Sequence, residues 1–290
     1  MFGVEFLMRR NIWVPPKNTY KKTDDDCDMF VKIISGDQIH LRLFSPDSTV
    51  DFKNYDNSKR LVLYFHGNAE DLASCDAYLC WLALNTDQNV IGVDYVGYGK
   101  SSCEHETTEQ NMCDAADASL DFAIHTLKQA KNTTMIIGRS LGSIPAVYLA
   151  SQQMNAGLCG LILISALASG ARCVLPSAYT PESILSSMDS LFGANILRIS
   201  EVQCMILFIH GDNDKQVPIA NARALCSRCN RWCLPEIFVV KGGGHNDLSD
   251  LYGKQILRQI NEFKDTSAVT ARLRTGDEAA HTPYEDLVEF

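Results

Sequence analysis

The chain has 290 residues, a net charge of −9 at neutral pH and a pI near 5.2, a balance that argues against a nucleic-acid-binding surface, which needs clustered Lys and Arg. Hydrophobic residues make up 46% of it, enough for a sizeable core, yet apolar runs such as LILISALA at 161–168 stop well short of the roughly 18–20 residues that cross a bilayer. The opening MFGVEFLMRR places its arginines after the apolar positions, the reverse of a secretory signal, and the odd count of 11 cysteines, many in apolar runs, reads as reduced thiols of a cytoplasmic protein.

Residues 1–28 form an N-terminal segment in which Phe2, Phe6, Leu7, Met8 and Trp13 stand beside Arg9, Arg10 and Lys17. That combination suits packing on the domain or peripheral contact with a membrane surface. Residues 29–35 and 39–44 then predict a hairpin joined at Gly36-Asp37, and RLVLYFH (60–66) and NVIGVDY (89–95) predict buried strands. Further strands are expected at 133–138, 159–165, 204–210 and 236–240. Helical spacing of apolar residues fills the gaps at 71–84, 110–130, 141–153, 218–229 and 247–264. This alternation predicts an α/β domain over 29–265 with a mostly parallel, eight-stranded sheet flanked by helices and a small cap or none. Residues 266–290 lose the apolar periodicity and are expected to be a mobile C-terminal tail.

One stretch, TMIIGRSLGSIPAVYLA (134–150), halts an apolar strand at a serine between two glycines and resumes as a helix. Taken alone, Ser140 reads as a helix cap. A nucleophilic role requires a strand, a sharp turn and a helix, with small residues at 138 and 142, and then an acid and a base after later strands in the order Ser, Asp, His. Both follow. MILFIHGDNDKQVP carries Asp212 and Asp214; Asp212, next to the strand-ending glycine, suits a turn-stabilising role, which leaves Asp214 as the acid. His245, after the last strand and a triple glycine, is the base candidate, against the plainer reading of a surface-loop histidine. The strand ending at His66-Gly67 and the nucleophile turn would offer the backbone N–H groups of Asn68 and Leu141 to an oxyanion. His66 itself reads as a buried histidine bonded to its own loop.

Together, FHGNAEDL, VIGVDYVGYGKSS, GRSLGSIPAVYLA, LASGARCVLP, FIHGDNDKQVP and GGGHNDL resemble the α/β-hydrolase domain-containing protein 17 family, from about residue 11 to about residue 264. The resemblance implies an α/β-hydrolase fold and a serine hydrolase that removes fatty acyl groups from protein cysteines through an acyl-serine intermediate. It also implies no metal and no organic cofactor, with Ser140, Asp214 and His245 as triad. Related hydrolases act on lipids or small esters, and a hydrolase-shaped interaction protein is a further alternative. The chain departs from the family pattern in two places. The family's acylated, cysteine-rich leading segment has no counterpart before Cys27, and Ala166 stands where the family usually has proline.

Between two predicted strands, residues 167–202 place Ile184, Leu185, Met188, Leu191 and Phe192 on one helix face. Core packing is the first reading of such a stripe; the alternative makes Leu167, Leu185, Met188 and Phe192 an acyl-binding wall. DYVGYGKSS lacks the first glycine of a phosphate loop, with Asp94 in its place. CSRCNRWC, with Cys226, Cys229 and Cys233, lacks a fourth metal ligand. The terminal VEF has the apolar-x-apolar form of a strand-adding peptide, although a free tail is the plainer reading.

Overall fold

A computed structural model describes residues 13–16, 20, 26–175 and 179–275. Strands β1 (Asp28–Lys32), β2 (Gln38–Phe44), β3 (Leu61–Phe65), β4 (Asn89–Val93), β5 (Thr134–Arg139), β6 (Gly160–Ile164), β7 (Met205–Gly211) and β8 (Glu236–Val240) form one sheet in the order β1-β2-β4-β3-β5-β6-β7-β8. Only β2 runs against its neighbours. The central strands read LVLYF, NVIGV and GLILI and are buried throughout, as strands covered on both faces must be. The expected hairpin joins β1 to β2, with Gly36 at φ +93° and the Ile33 N–H donating to the Asp37 carbonyl at 3.0 Å.

Helices α1 (Leu72–Thr86), α2 (Glu109–Asp121), α3 (Ser143–Ser151), α4 (Gly170–Val174), α5 (Glu182–Met188), α6 (Asn195–Arg198), α7 (Ala220–Arg228) and α8 (Leu248–Thr275) cover the sheet. The two-residue period of a strand sends Leu61, Leu63 and Phe65 of β3 into the core under α2, α3 and α7, and Val62 and Tyr64 into the core under α1 and α8. Both α1 and α2 begin at reciprocal caps, Asp71 with Ser74 and Thr108 with Asn111.

Two expectations are corrected. The helix expected over 110–130 leaves α geometry after Asp121. A π turn spans Phe122–Thr126, where the Leu127 N–H donates to the Phe122 carbonyl five residues back at 3.1 Å, and Lys128 then takes φ +58°. The tail expected from 266 is helix as far as Thr275, while 276–290 lie outside the described residues. Small residues explain both the missed signal and the packing. Ser267, Ala268 and Ala271 are buried, Ser267 Oγ lies 3.6 Å from Cys159 Sγ, and Gly160 lets the Phe263 ring lie close to β6. Arg274 then holds the helix end through the carbonyls of Gln203 and Trp232.

A buried polar cluster ties the antiparallel edge to the rest. Asp94 follows β4 and is fully buried; its Oδ1 accepts the Leu72 N–H that starts α1 at 3.0 Å, and its Oδ2 accepts the Tyr20 hydroxyl at 2.9 Å. His40 of β2 lies between two carboxylates, with Nδ1 2.9 Å from Asp94 and Nε2 2.9 Å from Asp28. Asp28 also accepts from Arg42 at 2.7 Å and Lys100 at 2.5 Å. A neutral imidazole would turn a lone pair toward one carboxylate, so both contacts require the cation. Burial opposes charge on these groups, but the bonds to Asp28 and Asp94 raise the His40 pKa above its ordinary 6.5. For Asp94, the His40 and His66 rings outweigh burial and hold the carboxyl below the usual carboxylate range.

The signs follow from linkage. Stability from the His40 cation is present below pH 6.5 and lost as pH rises through its raised folded value. Stability from Asp94 is present above 3.8 and lost as pH falls through its depressed one. Chemical denaturation across pH should therefore give a plateau that declines on both sides. Asp94→Asn should cost about 3–5 kcal/mol at neutral pH, because it removes one charged partner from a buried ion pair. A cost below ~1 kcal/mol, the value of an exposed pair, would contradict a charged cluster.

Candidate active site

Ser140 stands between β5 and α3 at φ +51°, in the left-handed region that a side-chain-bearing residue rarely occupies. Its flanking glycines make the turn possible. A Cβ at Gly138 would come 2.6 Å from both the Ala146 Cβ and the Gly142 carbonyl, and one at Gly142 would come 2.1 Å from the Phe65 carbonyl. The turn at Ser140 therefore lies directly against the end of β3, which starts the loop carrying Gly67 and Asn68.

The other two loops meet by a similar close approach. A Cβ at Gly211 would lie 2.2 Å from the Gly243 carbonyl, and the Asn213 N–H donates to that same carbonyl at 2.9 Å. Asp212 is exposed and its Oδ1 accepts the Gly242 N–H at 2.7 Å, so it clamps the two loops together as a turn residue. Asp214, in contrast, is buried and its Oδ2 lies 2.7 Å from His245 Nδ1. Its Oδ1 accepts the N–H groups of Gln216 at 2.9 Å and Val217 at 2.8 Å. Burial would raise the Asp214 pKa, but bonds from the His210 and His245 rings and from the Val217 N–H hold the carboxyl well below its usual range. On the far side of the ring, His245 Nε2 lies 2.9 Å from Ser140 Oγ. Ser140, His245 and Asp214 thus form one hydrogen-bonded row, each at most 9% exposed.

Arg139, which precedes the serine, is dictated by no motif or periodic pattern, and the geometry supplies its role. Arg139 pairs with Glu70 and also donates to the His245 carbonyl at 3.3 Å and to Asn246 Oδ1 at 3.1 Å. The second oxygen of Glu70 accepts the Gly67 N–H at 2.7 Å. One ion pair therefore joins the β3 loop, the serine strand and the histidine loop. Gly67 has to be small for this, since a Cβ there would sit 2.9 Å from Glu70 Oε2. His210 was also missed; its Nε2 donates to the Val217 carbonyl at 2.7 Å and lies 3.5 Å from Asp214 Oδ2.

Of the two oxyanion candidates, Leu141 is buried in the first turn after Ser140, where helical N–H groups have no partner within the helix. Asn68 lies on the same cavity wall as Ser140, and its side chain is held by the Tyr98 hydroxyl at 2.7 Å and the Val14 N–H at 3.0 Å. His66 bonds its own loop, with Nδ1 2.8 Å from the Gly67 carbonyl.

A cavity of about 560 Å³ opens at Ser140 and His245, within the range of small-ligand sites. It runs over Tyr64, Cys75 and Ile164, which belong to the core under α1 and α8. The alternative reading of Leu167, Leu185, Met188 and Phe192 as an acyl-binding wall is corrected here, because none of the four lines this cavity. Leu167 and Phe192 pack in the core on the other face of the sheet. Leu185 is 1% exposed on α5, a helix anchored by Arg172, which grips Asp189 through Nε and Nη2, both at 2.8 Å. Of the N-terminal apolar residues, Trp13 packs edge-on against Phe192 at 5.5 Å; Phe2, Phe6, Leu7 and Met8 lie outside the described residues. Cys229 and Cys233 donate to the carbonyls of Leu225 and Val202. Among the described residues no helix is long and apolar enough to cross a membrane.

The strand order, the serine turn and the Ser-His-Asp row define an α/β hydrolase. The profile of the serine aminopeptidase S33 hydrolases matches residues 56–194. Alpha/beta hydrolase domain-containing protein 17B of Homo sapiens is 34% identical over 210 residues, covering 71% of this chain and 67% of that protein. The Caenorhabditis elegans alpha/beta hydrolase domain-containing protein aho-3 is 30% identical over 217 residues, 75% of this chain and 61% of its own length. Among solved structures, the Pyrococcus furiosus esterase Pf2001 superposes with a TM-score of 0.65 at 15% identity, over 87% of this chain and 99% of that one, a likeness of fold. The chain belongs to the alpha/beta hydrolase domain-containing protein 17 family.

The Glu70–Arg139 tie makes a direct prediction. In a denaturant-unfolding double-mutant cycle of Glu70→Gln and Arg139→Gln, the pair should show a coupling energy of about 0.5–3 kcal/mol. Additive losses would mean that the two side chains do not act together.

Proposed function

We propose that the protein is a serine acyl hydrolase acting on acyl thioesters of protein cysteines. The observation that carries this reading is the unbroken Ser140-His245-Asp214 row opening on a cavity. His245 Nε2 takes the Ser140 hydroxyl proton as Oγ attacks the acyl carbonyl, while Asp214 accepts the Nδ1–H, fixes the tautomer and stabilises the imidazolium. Its depressed pKa keeps Asp214 charged for that task.

The carbonyl oxygen becomes an oxyanion beside the Leu141 and Asn68 amides, and one such donor typically contributes about 3–4 kcal/mol to the transition state. Collapse of the intermediate breaks the C–S bond, and the thiol leaves with the proton from His245. The acyl group remains as an ester on Ser140. Water then enters, His245 takes its proton, and the fatty acid is released as Ser140 recovers its hydrogen. The positive φ at Ser140 supports this sequence of steps, because it pushes Oγ out of the turn toward the ring that must deprotonate it. The acyl-thioester substrate class is the one implied by the resemblance that FHGNAEDL, GRSLGSIPAVYLA and GGGHNDL carry.

The test compares a palmitoyl-thioester peptide with the matching oxygen ester. Wild type should turn over the thioester, and Ser140→Ala should reduce turnover by about 10⁴-fold or more. Asp214→Asn should lose about 10⁴-fold, as expected when the base is held in the wrong tautomer. Full turnover by Ser140→Ala would refute the nucleophile. Wild-type turnover restricted to the oxygen ester would reject the thioester substrate and leave the hydrolase.

A further inference from the structure

Beyond Ser140 the cavity continues between α1 and α8, with Tyr64, Tyr78 and Trp81 along one side and Leu248, Gly253 and Ile256 along the other. The Tyr78 and Trp81 rings stack with centroids 5.9 Å apart and planes 28° apart, giving that side a flat apolar wall. Tyr64, Leu248 and Ile256 are buried members of the core on this face and make the apolar part of the lining, while Glu70, Arg139, Ser249 and Asp250 line the rest.

Gly253 is the unexpected member. It lies inside a 28-residue helix, where glycine is a weaker choice than alanine. The backbone does not call for it, since it is absent from the positive-φ glycines. Crowding does not call for it either. An added Cβ would meet only the Trp81 ring, at the ordinary contact distance of 3.7 Å, whereas one at Gly142 or Gly211 would collide with main chain. What glycine does at 253 is leave open the one-methyl gap between the helix and the Trp81 ring. A branched or longer side chain would fill it.

We infer that this slot receives the acyl group of a linear aliphatic ester or thioester, and that Gly253 sets its width. The inference rests on the acyl-hydrolase reading of Ser140. With a protein thioester the two halves of the substrate differ greatly in size. The cysteine belongs to a polypeptide, which is too wide for a slot between two helices, so the acyl chain is the half that enters. A chain lying against the Tyr78–Trp81 wall and Ile256 removes methylenes from water, and each buried methylene adds to transition-state binding.

The test reads the ratio of kcat/KM for p-nitrophenyl dodecanoate to that for p-nitrophenyl acetate, in wild type and in Gly253→Leu. Leucine favours the helix, and a thermal midpoint at or above that of wild type would show that the fold is kept. The ratio should fall by about tenfold or more in Gly253→Leu, the size expected for losing a few buried methylenes. Gly253→Met, a flexible residue of similar volume, should lower it in the same direction. An unchanged ratio in both variants would overturn the inference and leave the Ser140 reading standing. So would a loss that follows chain length in a series of alkyl acetates, which would put the leaving group in the slot. Absence of wild-type turnover on every ester would defeat the Ser140 reading itself, and the inference with it.

Discussion

The rest of the site depends on how closely the turn after β5 lies against the end of β3. Ser140 takes a left-handed backbone conformation that costs on the order of 1–3 kcal/mol, and the turn survives because its neighbours leave no other path. Gly142 lies against the Phe65 and His66 carbonyls, and Gly138 lies against the start of α3. Seven buried central and neighbouring strand positions, from Val62 through Phe65 and Met135 through Ile137, fix the register that brings these glycines together. The hydroxyl then points to where a ring from another loop can reach it.

That ring arrives through connections built in the same way. Gly211 and Gly243 touch through bare backbone, Asp212 clamps the two loops, and Asp214 is left to hold His245. The Glu70–Arg139 pair closes the arrangement from the front, linking Gly67 to the histidine loop. Behind it, Asp94 fixes the start of α1 and, through His40 and Asp28, the antiparallel edge. Positioning in this protein is therefore shared between glycines that permit contact and buried carboxylates that hold it, a division that suits a site requiring alignment to a few tenths of an ångström.

Much of this was legible in the sequence, for identifiable reasons. Buried parallel strands leave continuous apolar runs, and the order Ser, Asp, His follows from which strand each loop leaves, so the serine, both candidate acids and the histidine could be located and Asp214 preferred over Asp212. The missed features share a different cause. Residues 266–275 bury serine and alanine, which carry little hydropathy, so the helix lacks the pattern that announces one. Of the stripe from Ile184 to Phe192, Leu185 is buried, Ile184 is exposed and the others are half-buried, so its helical spacing marked no cavity wall, and the cavity lies on the other face of the sheet from Phe192. Arg139 and Glu70 are 69 positions apart and carry no periodic signal. Their pairing follows from β3 and β5 being neighbours, a property of the folded sheet.

The central claim is that Ser140 is a nucleophile activated by His245, and covalent labelling addresses it most directly. A fluorophosphonate probe followed by peptide mass mapping should place the adduct on Ser140 in the wild-type protein and lose at least most of it in His245→Ala. An adduct on another residue, or undiminished labelling of Ser140 without His245, would contradict the account.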